Sequence, residues 1–263
     1  MNQIGLAERC ECDHQDDNSN SRKIEKRPLY NALKVLQTFN SWAFKRQQPT
    51  EPALLLETIE RAIANMAPVG FVLYWGKGPR SSIASPDIAC LNYLAQMIAK
   101  IEREYQPGAT LTLITTDTHA LHNGHAQDVV YSYFNEVAAA AQSHGFSCVH
   151  LSEVVEAARD FPDETDAMPE AGLLTKLEKC ASKWYRGGHS ITAGAAAYYR
   201  LNMLEKQAVE LAFPGHIFTT FNNSDYRELF PKGLPVFYMY SLRKGFAAKP
   251  WFLDSEQCIT NSS

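Results

Sequence analysis

The sequence has no apolar run long enough to cross a membrane. A transmembrane helix needs about 20 consecutive apolar residues, and no uninterrupted run approaches that length. The first residues also lack the basic and then apolar order of a secretory signal. We therefore expect a cytoplasmic protein with no membrane partner.

Cysteine is sparse and shows no disulfide framework. The six cysteines stand at positions 10, 12, 90, 148, 180 and 258, without the paired spacing of small secreted domains. Reduced thiols are expected, and Cys148 lies in an apolar run where a thiol is usually inert. Cys10, Cys12 and His14 offer ligands that zinc prefers, but their spacing is tight and they lack a second pair nearby. We interpret residues 1–27 as a disordered tail.

Several catalytic signatures are also missing. The chain has no Gly-x-Gly-x-x-Gly, no Gly-x-x-x-x-Gly-Lys-[Ser/Thr], no His-Glu-x-x-His and no Gly-x-Ser-x-Gly. These absences disfavour a dinucleotide-binding fold, a P-loop nucleotide site, a zinc metalloprotease and a serine hydrolase. The net charge of −4 gives no general attraction for nucleic acid, so we expect none as a partner.

What is present is an alternation of strands and helices. With 263 residues, 45% of them hydrophobic, the chain can bury the core of one principal domain, which we place at 28–253, followed by a tail at 254–263. Residues 28–67 predict two helices that precede the sheet. Strands are predicted at about 70–75, 110–116, 146–151, 216–221 and 235–241, and helices at about 88–105, 126–143, 152–160, 171–184 and from 190 onward. This order predicts an α/β fold with a doubly wound, mostly parallel sheet.

The richest segment chemically is 115–125, directly after an apolar strand. It carries a carboxylate, Asp117, and three imidazoles, His119, His122 and His125. We expect it to be a loop at the carboxyl end of a strand, where such sheets place their sites. Three interpretations stay open: a divalent metal held by these four side chains, a metal-free acid–base loop, or histidines without a role. Asp117 is the strongest candidate, because a carboxylate at a buried strand end needs a partner.

Two other loops follow predicted strands and should reach the same edge. Residues 76–80 place Lys77 between glycines, where it is either an anion ligand or a surface lysine in a turn. Residues 219–223 offer Thr220 and Asn222 as polar contacts for a substrate. Because the carboxyl ends of parallel strands converge, we expect the three loops to share one crevice.

A fourth candidate segment, 186–190, precedes the long helix. Arg186 and His189 suit a phosphate or carboxylate at a helix N-terminus. The alternative is a plain cap by Ser190 or Thr192 after a flexible Gly-Gly. Within the helix, the spacing of four residues predicts a buried stripe of Leu201, Leu204, Ala208 and Leu211.

The order of short motifs resembles the pyoverdine/dityrosine biosynthesis family, which includes the isonitrile synthases. The matching segments are Tyr74-Trp75-Gly76-Lys77-Gly78-Pro79, Pro86-Asp87, Tyr105-Gln106-Pro107-Gly108-Ala109, Asp117 at a strand end, Phe213-Pro214-Gly215-His216-Ile217 and Pro250-Trp251. The chain departs from the family at 218–222, where members carry Arg, Ser and His, and at Cys90, where they carry an acidic residue. The resemblance covers about residues 68–253.

This resemblance implies a Rossmann-like domain that converts an amino-acid amine to an isonitrile, with ribulose 5-phosphate as carbon donor and without a redox metal or other cofactor. In that role Asp117, His119 and Lys77 would be catalytic. The substrate contacts would come from Arg186, His189, Thr220, Asn222, His122 and Asn123. The expected partners are an amino acid or a derivative and a sugar phosphate. The alternatives are a metal-dependent enzyme built on Asp117, His119, His122 and His125, and a non-catalytic small-molecule binding protein.

Overall fold

The computed structural model describes residues 30–76, 78–158 and 168–239, together with the backbone of two short strands in 241–248. The helices are α1 Ala32–Phe39, α2 Pro52–Ala64, α3 Ser85–Glu104, α4 Asp117–His122, α5 Gln127–Ser143, α6 Leu151–Ala157, α7 Ala171–Trp184 and α8 Ile191–Ala212, with a 3-10 helix at Ser224–Leu229. The strands are β1 Val69–Trp75, β2 Ala109–Thr115, β3 Ser147–His150, β4 Ile217–Thr220, β5 Val236–Tyr238, β6 Ser241–Arg243 and β7 Phe246–Ala248.

The first five strands form one sheet in the order β3-β2-β1-β4-β5, and every pairing in it is parallel. The predicted α/β class and doubly wound parallel sheet are therefore confirmed. β6 and β7 form a separate antiparallel pair. The strand order reverses between β1 and β4, the point at which open α/β sheets open a crevice for ligands at the carboxyl ends of their strands.

Helices cover both faces of the sheet because its strands are apolar on both sides. In β1, Phe71, Leu73 and Trp75 pack under α1, α2, α3 and α5, whereas Val72 and Tyr74 face α6, α7 and α8. The two N-terminal helices belong to the first layer. The Phe39 ring of α1 contacts the rings of Phe71 and Phe237, with centroids 5.3 and 5.1 Å away.

Two details of the sequence prediction are wrong. The segment expected to be a loop after β2 forms helix α4, which ends at His122 and is followed by Asn123 and Gly124. Gly124 has φ +88°, a left-handed conformation that favours glycine at a helix end. In α8 the expected stripe is buried only at Ala208, since Leu201 and Leu204 are partly buried and Leu211 is 43% exposed. The other buried residues of α8 include Tyr199, Asn202, Met203, Glu205 and Val209.

Some expectations concern residues outside the described part of the chain. These are the tails at 1–27 and 254–263, Cys10, Cys12, Lys77 and Pro250-Trp251. Within the described residues, no helix combines the length and the apolar character needed to cross a membrane.

Candidate functional site

Asp117 begins α4 directly after β2 and has no exposed surface. Its Oδ1 accepts a hydrogen bond from the backbone N–H of Ser152 at 3.1 Å, and its Oδ2 accepts one from the Ser152 hydroxyl. Ser152 lies in the first turn of α6, so these hydrogen bonds connect the helix that follows β2 to the helix that follows β3. The partner that a buried carboxylate requires is therefore Ser152.

His119 lies two residues further along α4 and contacts α8. Its Nε2 atom is 2.5 Å from Oε2 of Glu205, whose side chain has no exposed surface. The other carboxylate oxygen of Glu205 accepts a hydrogen bond from the Thr118 hydroxyl at 2.5 Å. An ionised carboxylate only accepts hydrogen bonds, so Nε2 carries a proton, and in the neutral imidazole Nδ1 is the acceptor. A histidine oriented in this way by a carboxylate is suited to general acid–base catalysis.

Two tyrosines complete the surroundings of His119. The Tyr198 hydroxyl of α8 lies 3.5 Å from His119 Nδ1. Tyr74, near the end of β1, meets the imidazole edge to face with ring centroids 6.2 Å apart. Burial, followed by the Glu205 carboxylate, raises the pKa of Tyr198 and of Tyr74 above the ordinary phenol value. Both phenols are therefore neutral hydrogen-bond donors at neutral pH.

His122 points to a different partner. Its Nε2 atom lies 3.1 Å from the carbonyl oxygen of Gly194, and its ring packs against the ring of Tyr185 with centroids 5.1 Å apart. Burial lowers the pKa of His122 below its ordinary value, although the Gly194 carbonyl opposes this shift. The expected contact between His122 and a substrate stays a prediction.

Three of the four residues of the metal alternative thus have separate partners. Asp117 binds Ser152, His119 binds Glu205 and His122 binds Gly194. Across the part of the chain that the structure describes, no group of three or more His, Cys, Asp or Glu side chains is arranged to hold a metal ion. The geometry of this segment gives no support to the metal interpretation.

The loop after β1 does reach the segment after β2. A Cβ atom placed on Gly76 would lie 3.9 Å from the Thr116 hydroxyl, and one on Gly78 would lie 3.6 Å from Nε2 of His125. Lys77 stands between these glycines in the sequence, although it is outside the described residues. Two of the three loops expected to converge are therefore neighbours.

The third loop stands at the same edge of the sheet, after β4. Thr220 is buried, and its hydroxyl accepts a hydrogen bond from the backbone N–H of Asn222 at 3.1 Å, so it closes the turn. Asn222 is partly buried and has partners of its own. Their expected contacts with a substrate remain predictions.

Arg186 and His189 are both exposed. The Arg186 guanidinium donates to the carbonyls of Tyr185 and Lys183, at the C-terminal end of α7. The Arg186 backbone N–H donates to the carbonyl of Asn123, which holds α4 against this turn. The Ser190 hydroxyl accepts from the backbone N–H of Ala193, so Ser190 caps α8, and the expected contacts of Arg186 and His189 with a substrate stay predictions.

Glu205 and Tyr74 were missed by the sequence interpretation. The leucine spacing in α8 predicted a buried stripe that does not include Glu205. An alternative signal was present, because Tyr198, Asn202 and Glu205 recur at steps of four and three residues. A glutamate on the face that also carries Asn202 and Val209 indicates a buried carboxylate in need of a partner.

No family model and no curated protein matches the sequence. Among solved structures, the chain is similar to PvcA from Pseudomonas aeruginosa, with 16% identity over 84% of this chain and 87% of PvcA, at a TM-score of 0.59. The chain has the fold of PvcA. That protein belongs to the pyoverdine/dityrosine biosynthesis family, so the resemblance predicted from short motifs is confirmed at the level of the fold.

Aminoacyl-tRNA synthetases are more distant matches. A product-bound parasite tRNA synthetase has a TM-score of 0.46 with 11% identity, over 79% of this chain and 59% of the synthetase. A tryptophanyl-tRNA synthetase from Encephalitozoon cuniculi, bound to tryptophan, has a TM-score of 0.44 with 13% identity, over 81% of this chain and 70% of the synthetase. These similarities are too low to carry an argument.

Proposed function

We propose that the chain is a biosynthetic enzyme that transforms the amine of an amino acid or a derivative, with His119 as its general acid–base group. The observation that carries this proposal is the pairing of His119 with the buried Glu205 at the carboxyl edge of a parallel sheet. A buried carboxylate fixes the imidazole and stabilises its protonated form during proton transfer. A histidine with only a packing role does not need such a partner.

The proposed reaction is that of the isonitrile synthases, which the sequence motifs resemble and whose family shares the fold. Such a reaction joins an amine to the carbon of a phosphosugar, so it needs a cation for the phosphate and groups that move protons. Lys77 is our candidate for the cation, because Gly76 and Gly78 on either side of it lie beside Thr116 and His125. Asp117 contributes by holding α4 in place through Ser152.

The test is to incubate the purified protein with each amino acid and ribulose 5-phosphate, and to trap any isonitrile with a tetrazine for mass spectrometry. We expect an adduct with one amino acid or a small group of them, and none with His119→Ala. The matched control is His144→Ala, which removes a histidine at the opposite end of α5 from the site and should keep full activity.

Absence of any adduct with folded wild-type protein would exclude the isonitrile reaction. An amino acid that raises the melting temperature without being converted would instead favour a non-catalytic binding protein. Equal activity of His119→Ala and the wild type would show that the His119–Glu205 pair is not the catalytic centre.

A further inference from the structure

The Tyr74 hydroxyl has no use in the fold. Its oxygen is buried and has no hydrogen-bond partner among the described residues. Two buried tyrosines elsewhere in the fold are satisfied: Tyr199 donates to Glu228, and Tyr133 donates to Asp87 at 3.1 Å. A buried hydroxyl without a partner costs folding free energy, so a phenylalanine would serve packing better at position 74.

Tyr74 lies beside His119 at the switch point of the sheet. It is the penultimate residue of β1, at the point where the strand order reverses, and its ring contacts His119 and Phe218, with centroids 6.2 and 5.0 Å away. His119 engages Glu205 through Nε2, and its other ring nitrogen, Nδ1, lies 3.5 Å from the Tyr198 hydroxyl and is the atom that can exchange a proton with a substrate. A donor and a base therefore lie beside each other at the switch point of the sheet.

The charge around Tyr74 limits what it can bind. Burial, followed by Glu205 and Tyr198, raises the pKa of Tyr74 well above the ordinary phenol value, so the hydroxyl keeps its proton. The charge that contributes to this rise in pKa is the negative charge of Glu205. A neutral acceptor oxygen fits beside it better than a carboxylate does, since two buried anions repel each other.

We propose that Tyr74 donates a hydrogen bond to the carbonyl oxygen of a ketone or aldehyde substrate while His119 removes a proton from the adjacent carbon. The C–H bond breaks, its proton goes to Nδ1 of His119, and its electron pair forms a C=C bond. The carbonyl π electrons move to the oxygen, where the Tyr74 O–H stabilises the developing enolate. Return of the proton restores the carbonyl compound, so the step needs no oxidant or reductant.

This inference deepens the proposed function, on which it rests, because it assigns the site to the carbonyl of the phosphosugar. It is tested without any amino acid. The protein is incubated with ribulose 5-phosphate in D₂O, and exchange of the hydrogens next to the carbonyl is followed by NMR against a sample without protein. We expect catalysed exchange with the wild type and about 100-fold slower exchange with Tyr74→Phe, the magnitude typical for loss of one oxyanion donor.

Tyr199→Phe is the matched control, because it removes a hydroxyl that is bonded to Glu228. It should lower the melting temperature and leave the exchange rate unchanged. Tyr74→Phe should show the opposite pattern, with an equal or higher melting temperature and slower exchange. A fall in melting temperature as large as that of Tyr199→Phe would indicate a structural hydroxyl and would overturn the inference.

Absence of exchange with the wild type, or equal rates for the wild type and Tyr74→Phe, would also overturn it. The two proposals fail separately. Exchange that depends on Tyr74 but yields no trapped isonitrile would reject the isonitrile reaction and retain the role of Tyr74. Isonitrile formation at the same rate in the wild type and in Tyr74→Phe would reject the role of Tyr74 and retain the isonitrile reaction.

Discussion

His119 Nε2 lies 2.5 Å from Oε2 of Glu205, and the carboxylate has no exposed surface. The contact joins α4, which begins where β2 ends, to the middle of α8, which precedes β4. It therefore spans the two halves of the chain that meet at the reversal of strand order. Proton transfer by His119 would depend on its contact with the buried Glu205 carboxylate.

The first prediction concerns Glu205→Ala. Removing one member of a buried pair leaves His119 and the Thr118 hydroxyl without their acceptor, and we expect a loss of about 3 kcal/mol in the free energy of unfolding. Urea denaturation measures it. Glu57→Ala is the control, since it breaks an exposed pair with Arg61 and should change stability by less than about 0.5 kcal/mol. Equal effects of the two variants would contradict the buried pairing.

A second prediction concerns pH and His122. Because burial lowers the pKa of His122 in the folded protein, the unfolded chain binds a proton near pH 6.5 while the folded chain does not. Stability should therefore fall as the pH drops from about 6.5 toward the lower pKa of the folded state. His122→Gln keeps a donor for the Gly194 carbonyl but does not titrate, so its stability should depend less steeply on pH.

Urea unfolding of both proteins between about pH 5 and pH 8 measures this difference, on either side of the ordinary histidine pKa. An NMR titration of the His122 ring gives the pKa directly. A pKa above the ordinary histidine value, or parallel stability curves for the two proteins, would refute the assignment.

A third prediction concerns the hydrogen bonds that the buried Asp117 carboxylate accepts from Ser152. Ser152→Ala removes one of the two donors to this buried carboxylate, and we expect a loss of about 2 kcal/mol, as is typical for hydrogen bonds to charged groups. Ser143→Ala, which removes an exposed hydroxyl bonded to the Ala140 carbonyl, should cost less than about 0.5 kcal/mol. A Ser152→Ala protein as stable as the wild type would show that Asp117 does not need this partner.

Local patterns explain what the sequence could predict. The apolar run at 70–75 ends in Gly76 and Pro79, and the structure confirms a strand there. Pro86-Asp87 predicts a helix start, and Asp87 indeed accepts a hydrogen bond from the backbone N–H of Ala84 at 2.8 Å. Each of these signals lies within a few residues of the element it specifies.

The rest of the site depends on long-range contacts. Helix α4 has six residues, too few to show a helical period, and its Asp and His residues are typical of loops. Asp117, which begins this helix, is bonded to Ser152, 35 positions away, and His119 pairs with Glu205, 86 positions away. Such pairings follow from the order of the strands, which no local spacing reveals.

A fourth prediction concerns Cys148. Burial, followed by the Glu153 carboxylate, raises its pKa to about 11, so little thiolate exists at neutral pH. Iodoacetamide should modify Cys148 at least about ten times more slowly than the exposed Cys180, as judged by peptide mass spectrometry. The rate at Cys148 should rise about tenfold per pH unit. Faster modification of Cys148 than of Cys180 in the folded protein would contradict the partial burial of Cys148. The control is modification in denaturant, where the two rates should be equal.

The last prediction uses the same substitution at two helical glycines. A Cβ atom at Gly194 in α8 would lie 2.7 Å from the Tyr185 ring, whereas one at Gly172 in α7 meets nothing within 4 Å. Gly172→Ala should therefore raise the free energy of unfolding by about 0.5 kcal/mol, because alanine restricts the unfolded chain. Gly194→Ala should lower it by about 1–3 kcal/mol, since the packed ring must move.

The Gly194→Ala substitution should also change the surroundings of His122. The Tyr185 ring packs against the His122 ring, and the Gly194 carbonyl lies beside His122 Nε2. Displacement of Tyr185 should therefore change the NMR signals of the His122 ring. Gly172→Ala should leave those signals unchanged. Stabilisation by both alanines would show that the Tyr185 ring does not pack on Gly194 in solution. Destabilisation by Gly194→Ala together with altered His122 signals would show that α8 positions the ring of His122 by direct contact.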